Sequence, residues 1–283
     1  MKISILGTGA MGTAMGEAII NAGHELIVYN RTIDKTKILA EKGAKVVLTP
    51  TEAIKEADIS IIVMIDGKAV KNTIDDKNVL SVIKDKKIIN ASTSNVEDTL
   101  QINEIIEKNG GQFVELSMQA VPDTLRTGSA TFKIGCKSEE EAYWIETLLS
   151  FSGEVVRVGE IGDVSKIEFM NLLGGTFSII KAAYTVALAE KYKILPEVYT
   201  PMITMADSMS DYYLNNMIAH NYDNNTFGNV KGHIELMNSI INGVSAQGIS
   251  TKIFEDFLDL YKKAMEMGYS EKDGSSILEV ILN

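Results

Sequence analysis

The chain has 283 residues, 45% of them hydrophobic and 23% charged, which is ordinary for a globular protein of about two domains. A net charge of −11 argues against a nucleic-acid surface. The single cysteine, Cys136, cannot form an internal disulfide and fits a reducing, cytoplasmic setting, and the three scattered histidines offer no metal-ligand spacing, so no metal is expected.

Residues 2–6 are too short for the apolar core of a secretory leader, and glycines follow at once. The longest apolar stretch, Ile167–Leu188, contains Glu168, Asn171 and Lys181 and reads as a buried helix, so no membrane partner is expected.

Short β-rich runs alternate with helical stretches through the first half. Lys2–Leu6, Glu25–Tyr29, Lys45–Val47, Ile59–Met64, Lys87–Asn90 and Gln112–Glu115 read as strands. Met11–Asn21, Ile33–Lys42, Thr51–Glu56 and Val96–Asn109 read as helices between them. Alternation of this kind predicts a parallel, doubly wound sheet, that is, a Rossmann-type α/β domain. Glu115–Gly135 reads as a long loop holding Pro122 and Gly128, with a strand at Ala130–Ile134, a helix at Ser138–Ser150 and a strand at Glu154–Val158 around and after it. Beyond Gly162 the β-rich runs stop. Val164–Lys191, Pro196–Asn216, Val230–Gln247 and Ile249–Met267 are helical, Ser275–Leu282 adds a short last helix, and the Asn-rich His220–Asn229 reads as a surface loop. The expected division is an α/β domain over 1–160 and an all-α domain over 161–283, joined by a long helix.

Gly7-Thr8-Gly9-Ala10-Met11-Gly12 is a G-x-G-x-x-G set between the first strand and the first helix. Gly7 allows the tight turn, Gly9 lets backbone approach a pyrophosphate, and Gly12 permits close helix–strand packing. The helix start, with Ala10 and Met11, then faces the phosphates. In the NAD form of this motif an acid roughly 20 residues on binds the ribose 2′-hydroxyl. Here Asn30, Arg31 and Thr32 follow the second strand. A neutral amide, a guanidinium fork and a hydroxyl suit a 2′-phosphate, so NADP(H) is expected over NAD. Asp34 falls in the first turn of the next helix, where acids are favoured for capping reasons alone.

Ligands of such a sheet lie at the carboxyl ends of its strands. Met64, Ile65 and Asp66 follow one strand and Ala91, Ser92 and Thr93 another, so Met64, Ile65 and Ser92 are candidate cofactor contacts. "GEIGDVSKIEFMNLLGG" (Gly159–Gly175) opens the long helix. Glu168 and Asn171, three apart, share a helical face, whereas Lys166 lies about 160° from Glu168. Glu168 also suits a helix start for dipole reasons alone, and Asn171 suits a buried amide. Tyr212, Tyr213, Tyr222 and His220 read as packing or surface residues, and Met170, Met205, Met209 and Met237 as core or pocket wall.

These motifs resemble the β-hydroxyacid dehydrogenase (6-phosphogluconate dehydrogenase-like) superfamily, which includes the 3-hydroxyisobutyrate dehydrogenases, and within it the NADPH-dependent imine reductases. The resemblance rests on the glycine motif followed by "YNRT". It rests also on "GEIGDVSKIEFMN", which is similar to the superfamily's G-x-x-G-x-G-x-x-x-K-x-x-N helix start with Gly159, Gly162 and Asn171 in register. The superfamily's catalytic lysine falls on Glu168. Its Ser-Gly-Gly carboxylate grip is replaced by Gln119-Ala120-Val121, while "ELSMQAVP" is closer to the imine reductases' loop. "AMEMGYSEKDGSSILEVI" resembles their C-terminal pattern, and "VKGH" resembles the K-D element that would place Lys231 at the cofactor.

The resemblance implies NADPH as cofactor and a small-molecule imine or carbonyl substrate. It implies Glu168 and Asn171 at the chemistry, and an intertwined, domain-swapped homodimer. A lysine at position 168 would suit an anionic substrate and a developing alkoxide, whereas a glutamate suits an iminium, either by donating its proton or as its counter-ion. Two other readings share the fold: a β-hydroxyacid dehydrogenase or carbonyl reductase, and a catalytically silent NADPH-binding protein.

Overall fold

The computed structural model describes residues 1–195, 197–198, 209–223 and 228–283. Met205, most of the helix expected over Pro196–Asn216, and positions 224–227 of the Asn-rich loop lie outside the described residues, as do the side chains of Leu172, Leu173 and Met209. Two compact units result, Met1–Gly175 and Thr176–Asn283.

The first unit is an eight-stranded sheet flanked by helices. In chain order it runs β1 (Lys2–Leu6), α1 (Ala10–Asn21), β2 (Glu25–Tyr29), a 3-10 turn (Ile33–Thr36) continuing into α2 (Lys37–Glu41), and β3 (Lys45–Val46). Then come α3 (Pro50–Glu56), β4 (Ile59–Ile62), α4 (Gly67–Ile74), α5 (Lys77–Leu80), β5 (Lys87–Asn90) and α6 (Val96–Lys108). β6 (Gln112–Gln119), α7 (Pro122–Thr127), β7 (Ala130–Gly135), α8 (Glu139–Leu149) and β8 (Gly153–Gly159) complete the sheet. The strand order is β3-β2-β1-β4-β5-β6-β7-β8. Every pairing is parallel except β6 with β7, which is antiparallel. The sheet is thus mostly parallel and doubly wound, as expected, with one antiparallel pair toward its β8 edge.

The apolar runs of the strands follow from burial on both faces. Ile3, Ile5, Ile59, Ile61 and Ile89 pack with Met15 and Ile19 of α1 on one side. Leu6, Ile62 and Ile88 pack with Ile54, Ile74, Ile102 and Phe113 on the other. The loop expected over Glu115–Gly135 is corrected: β6 runs on to Gln119, Pro122 opens α7, and Gly128 ends it in the left-handed conformation (φ 75°). The antiparallel register of β6 and β7 sets Ser117 opposite Lys133 and Glu115 opposite Gly135.

The long helix α9 (Asp163–Tyr192) begins in the first unit and continues into the second. The boundary drawn at 160/161 from the sequence marks the end of the strands; the first compact unit takes in the opening turns of α9 as well. The second unit adds α10 (Met209–Ile218), α11 (Val230–Ser245), α12 (Lys252–Ala264) and α13 (Ile277–Leu282). Within it Tyr184 meets Phe254 edge-on at 4.7 Å. Tyr212 and Tyr213 hydrogen-bond Asp273 and His233, and Tyr222 and His220 share Glu279, so all four are tied within this unit. Met170, expected in the core or pocket wall, is instead 62% exposed on α9. Among the described residues no group of three His, Cys, Asp or Glu side chains could hold a metal, and no helix is long and apolar enough to cross a membrane.

Candidate dinucleotide cleft and catalytic pocket

The glycine turn sits where the sheet order reverses, between β1 and β4, the usual place for a ligand in an open α/β sheet. Gly7 has φ +108°, and a Cβ there would lie 2.0 Å from the Val63 carbonyl oxygen. A Cβ on Gly12 would lie 2.0 Å from the Gly7 carbonyl oxygen, so a side chain at either point would force the turn open. At Gly9 the same construction meets nothing within 4 Å: the space over its backbone is open. That open side faces a cleft of about 680 Å³.

The cleft is lined by Gly7, Gly9, Ala10, Met11 and Gly12 from the first loop. Asn30, Arg31 and Thr32 line it from the loop after β2, and Met64 and Ile65 from the loop after β4. Its residues fit a dinucleotide: open glycine backbone at a helix start for the phosphates and cations beyond β2.

Asn30 both lines the cleft and braces it. Its Oδ1 accepts the Thr8 N–H at 3.1 Å and its Nδ2 donates to the Thr32 carbonyl at 2.9 Å. The side chain therefore ties the glycine turn to the Arg31-Thr32 loop and has its main groups committed. Arg31 has no ion pair among the described residues and faces the cleft. Lys35, four residues on in the 3-10 turn, also lines the cleft and was missed by the sequence reading, although an i, i+4 pair of cations flanking an acid was visible there. That acid, Asp34, pairs with Lys37 at 2.8 Å, and the ammonium holds its carboxyl below the ordinary range. Asp34 is not among the lining residues.

Ser92 lines a smaller, neighbouring pocket and also braces a loop. Its hydroxyl accepts the Met64 N–H at 2.8 Å and donates to the Ile62 carbonyl at 3.2 Å, which fixes the loop after β4. Ile65 is 85% exposed at the rim. Asp66 caps α4, accepting the Ala69 N–H at 2.8 Å. Lys231 stands in the first turn of α11, exposed, in the second unit.

The smaller pocket, of about 280 Å³, adjoins the cleft and shares Met11, Val63 and Met64 with it. It is lined by hydroxyl-bearing loop residues after β5, by Glu115, Ser117 and Met118 of β6, and by Val164, Ser165 and Glu168 of α9. Glu168 is the pocket's ionisable group at the α9 side. Asn171 Nδ2 donates to Glu168 Oε1 at 3.2 Å, as expected for two residues on one helical face. Lys166, on the other face, pairs with Asp163 at 2.8 Å.

Two residues that the sequence reading missed shape this pocket. Glu115 is 3% exposed, and its carboxylate accepts the N–H groups of Gly162 and Ser165, each at 2.7 Å, together with the Ser165 hydroxyl. Thr99 adds a 2.9 Å hydrogen bond to the Ser165 hydroxyl. A buried acid thus satisfies orphan donors at the α9 N-terminus, and the dipole there favours its charge. Burial nevertheless wins and keeps the Glu115 carboxyl above the ordinary range, against the lowering pull of these donors. Lys133 of β7 brings its ammonium 3.6 Å from Glu168 Oε1, with the two side chains 17% and 24% exposed. The charge argument from sequence, in which glutamate simply replaced lysine, is corrected here: the carboxylate faces a lysine supplied by another element.

Comparison with known proteins places this geometry. The chain is similar over 98% of its length, and 96% of the other's, to the NADPH-dependent reductive aminase of Aspergillus oryzae, at 24% identity. Its fold is that of an imine reductase from Myxococcus stipitatus in complex with NADP+, with a TM-score of 0.89, 16% identity and 99% of both chains covered. It is also that of a reductive aminase from Aspergillus terreus in complex with NADPH and ethyl-5-oxohexanoate, with a TM-score of 0.86, 21% identity and 99% of both chains covered. Residues 2–159, which hold the whole sheet and the glycine turn, match the NAD binding domain of 6-phosphogluconate dehydrogenase, and the chain belongs to that family.

Proposed function

We propose that the protein is an NADPH-dependent imine reductase, an oxidoreductase that converts an imine or iminium to an amine. The observation that carries this is Glu168: a carboxylate in a small pocket that adjoins the dinucleotide cleft and shares three residues with it. NADPH, when bound, supplies the hydride. Gly9 and the α1 start hold the phosphates, Arg31, Thr32 and Lys35 hold the 2′-phosphate, and Met11, Val63 and Met64 form the wall between cleft and pocket. Glu168 faces the substrate nitrogen. Its Oε1 accepts from Asn171 and faces the Lys133 ammonium, so it is set up as an acceptor and serves as counter-ion to an iminium. The similarity to the reductive aminase of Aspergillus oryzae supports the same reading. It is tested by NADPH oxidation with a cyclic imine beside a β-hydroxyacid assayed with NADP. Turnover of the hydroxyacid alone would return the chain to the dehydrogenases, and cofactor binding without turnover of either would make it a silent dinucleotide-binding protein.

The cofactor assignment gives a second expected result. Replacing both Arg31 and Lys35 by Ala weakens NADPH binding by roughly 10- to 100-fold, the worth of one or two charge-assisted hydrogen bonds, and leaves NADH binding nearly unchanged. Equal losses for the two cofactors, measured by titration, would remove these residues from the 2′-phosphate.

We further infer a cytoplasmic homodimer, joined through α9. Phe169 and Met170 are 61% and 62% exposed, Phe177 is 49% and Val186 43%, more large apolar surface on one helix than a monomer usually leaves in water. Light scattering at micromolar concentration gives twice the chain mass on this reading, and a single-chain mass overturns it.

A further inference from the structure

Lys133 has no evident structural duty. Its ammonium lies 3.6 Å from Glu168 Oε1, a loose pair, and Glu168 is its one ion-pair partner among the described residues. Partly solvated pairs of this kind add little stability. The β6–β7 register sets Lys133 directly across from Ser117, whose residue lines the pocket, so the two side chains stand on one face of the sheet. The neighbouring charges are already taken: Glu115 is filled by Gly162 and Ser165, and Lys166 by Asp163. Glu168, on the pocket wall, thus has the Lys133 ammonium at its side, and the pocket-lining Ser117 hydroxyl is a further donor on the face of the sheet that carries Lys133.

We propose that the substrate is a zwitterion, an iminium carrying a carboxylate on the C=N carbon, with Glu168 facing the cationic nitrogen and Lys133, aided by Ser117, taking the carboxylate. This rests on the imine-reductase reading and names its substrate class. In such a molecule the two charges lie a few ångströms apart, as Lys133 and Glu168 do, so both can be met at once. A cationic imine alone would leave Lys133 facing a positive charge, and a hydroxyacid alone would leave Glu168 facing a negative one; each mismatch works against binding. The hydride from NADPH adds to the iminium carbon, the C=N π pair becomes the nitrogen lone pair, and NADPH is oxidised to NADP+. The amine then takes one proton from water, and the product is an α-amino acid.

The experiment compares kcat/KM with NADPH for 1-pyrroline and for 1-pyrroline-2-carboxylate, in the full-length wild type, Lys133→Met and Lys133→Arg. The wild type is expected to favour the carboxylated imine by about tenfold or more, the worth of a hydrogen bond between charged groups. Lys133→Met abolishes that ratio and Lys133→Arg retains most of it. A wild-type preference for plain 1-pyrroline, or a Lys133→Met loss that is equal on both imines, overturns the proposal while leaving the reductase reading in place. No turnover of either imine, with NADPH bound, overturns both.

Discussion

Glu168→Gln lowers kcat/KM for a cyclic imine by roughly a hundredfold or more, within the range typical of a group that acts in the transition state. Glutamine keeps the shape of the side chain and can still accept from Asn171. What it loses is the charge facing the nitrogen. NADPH affinity is retained, because Glu168 lines the small pocket and not the dinucleotide cleft. A permanent cation separates the two roles open to this residue. An N-methylated cyclic iminium needs no proton, so a proton donor would be dispensable with it, whereas a counter-ion would not. The arrangement of Asn171 and Lys133 around Oε1 calls for the counter-ion, and the variant is therefore expected to lose as much on the N-methyl iminium as on the free imine. Full activity of Glu168→Gln on the N-methyl substrate would make the residue the proton donor instead.

The strands were legible because parallel strands buried on both faces read as near-continuous apolar runs, as in Ile59–Ile62, where only Ser60 is polar and Ile61 and Ile62 are 1% and 0% exposed. The glycine motif was legible because its logic is local: three glycines, one strand end, one helix start. The short helices were not. α4 and α5 are only 8 and 4 residues long, too short for a periodicity to stand out, and their starts are marked by the capping residues Asp66 and Asp76. α7 was lost for a sharper reason. Pro122 and Gly128 look like loop punctuation, yet proline belongs at the first position of a helix and glycine just past its end. Losing α7 and the far end of β6 hid the β6–β7 register, and with it Lys133, which comes to Glu168 from 35 positions away in the chain. The Glu115 contact to Ser165 spans 50 positions and follows no local pattern either. Asn30 lines the cleft as its place in the motif suggests, while its side-chain bonds, to Thr8 and Thr32, are visible only in the folded loops.

Glu115 gives the largest expected effect on the fold. Removing its carboxylate in Glu115→Ala leaves the N–H groups of Gly162 and Ser165 and the Ser165 hydroxyl without their acceptor in a buried site, at a cost of about 3 kcal/mol or more. The damage reaches the chemistry too, since Ser165 is one helical turn before Glu168 and a loosened first turn lets that carboxylate drift. Glu115→Gln is the finer probe. Its amide oxygen, placed as Oε1, can still accept the Ser165 N–H and hydroxyl, but its NH₂ group then meets the Gly162 N–H. The pH dependence of stability then reports the acid itself. Burial raises the folded-state pKa of Glu115 above its unfolded value, so protonation favours the folded chain. Its stabilising contribution is fully present below the unfolded pKa and is lost as pH rises through the folded one. Wild type should therefore gain stability relative to Glu115→Gln as pH falls from neutral toward the ordinary carboxylate range, in urea melts followed by circular dichroism. The reverse trend, with the wild-type advantage shrinking on acidification, would mean that the three donors outweigh burial and that Glu115 is held as a carboxylate by the helix it caps.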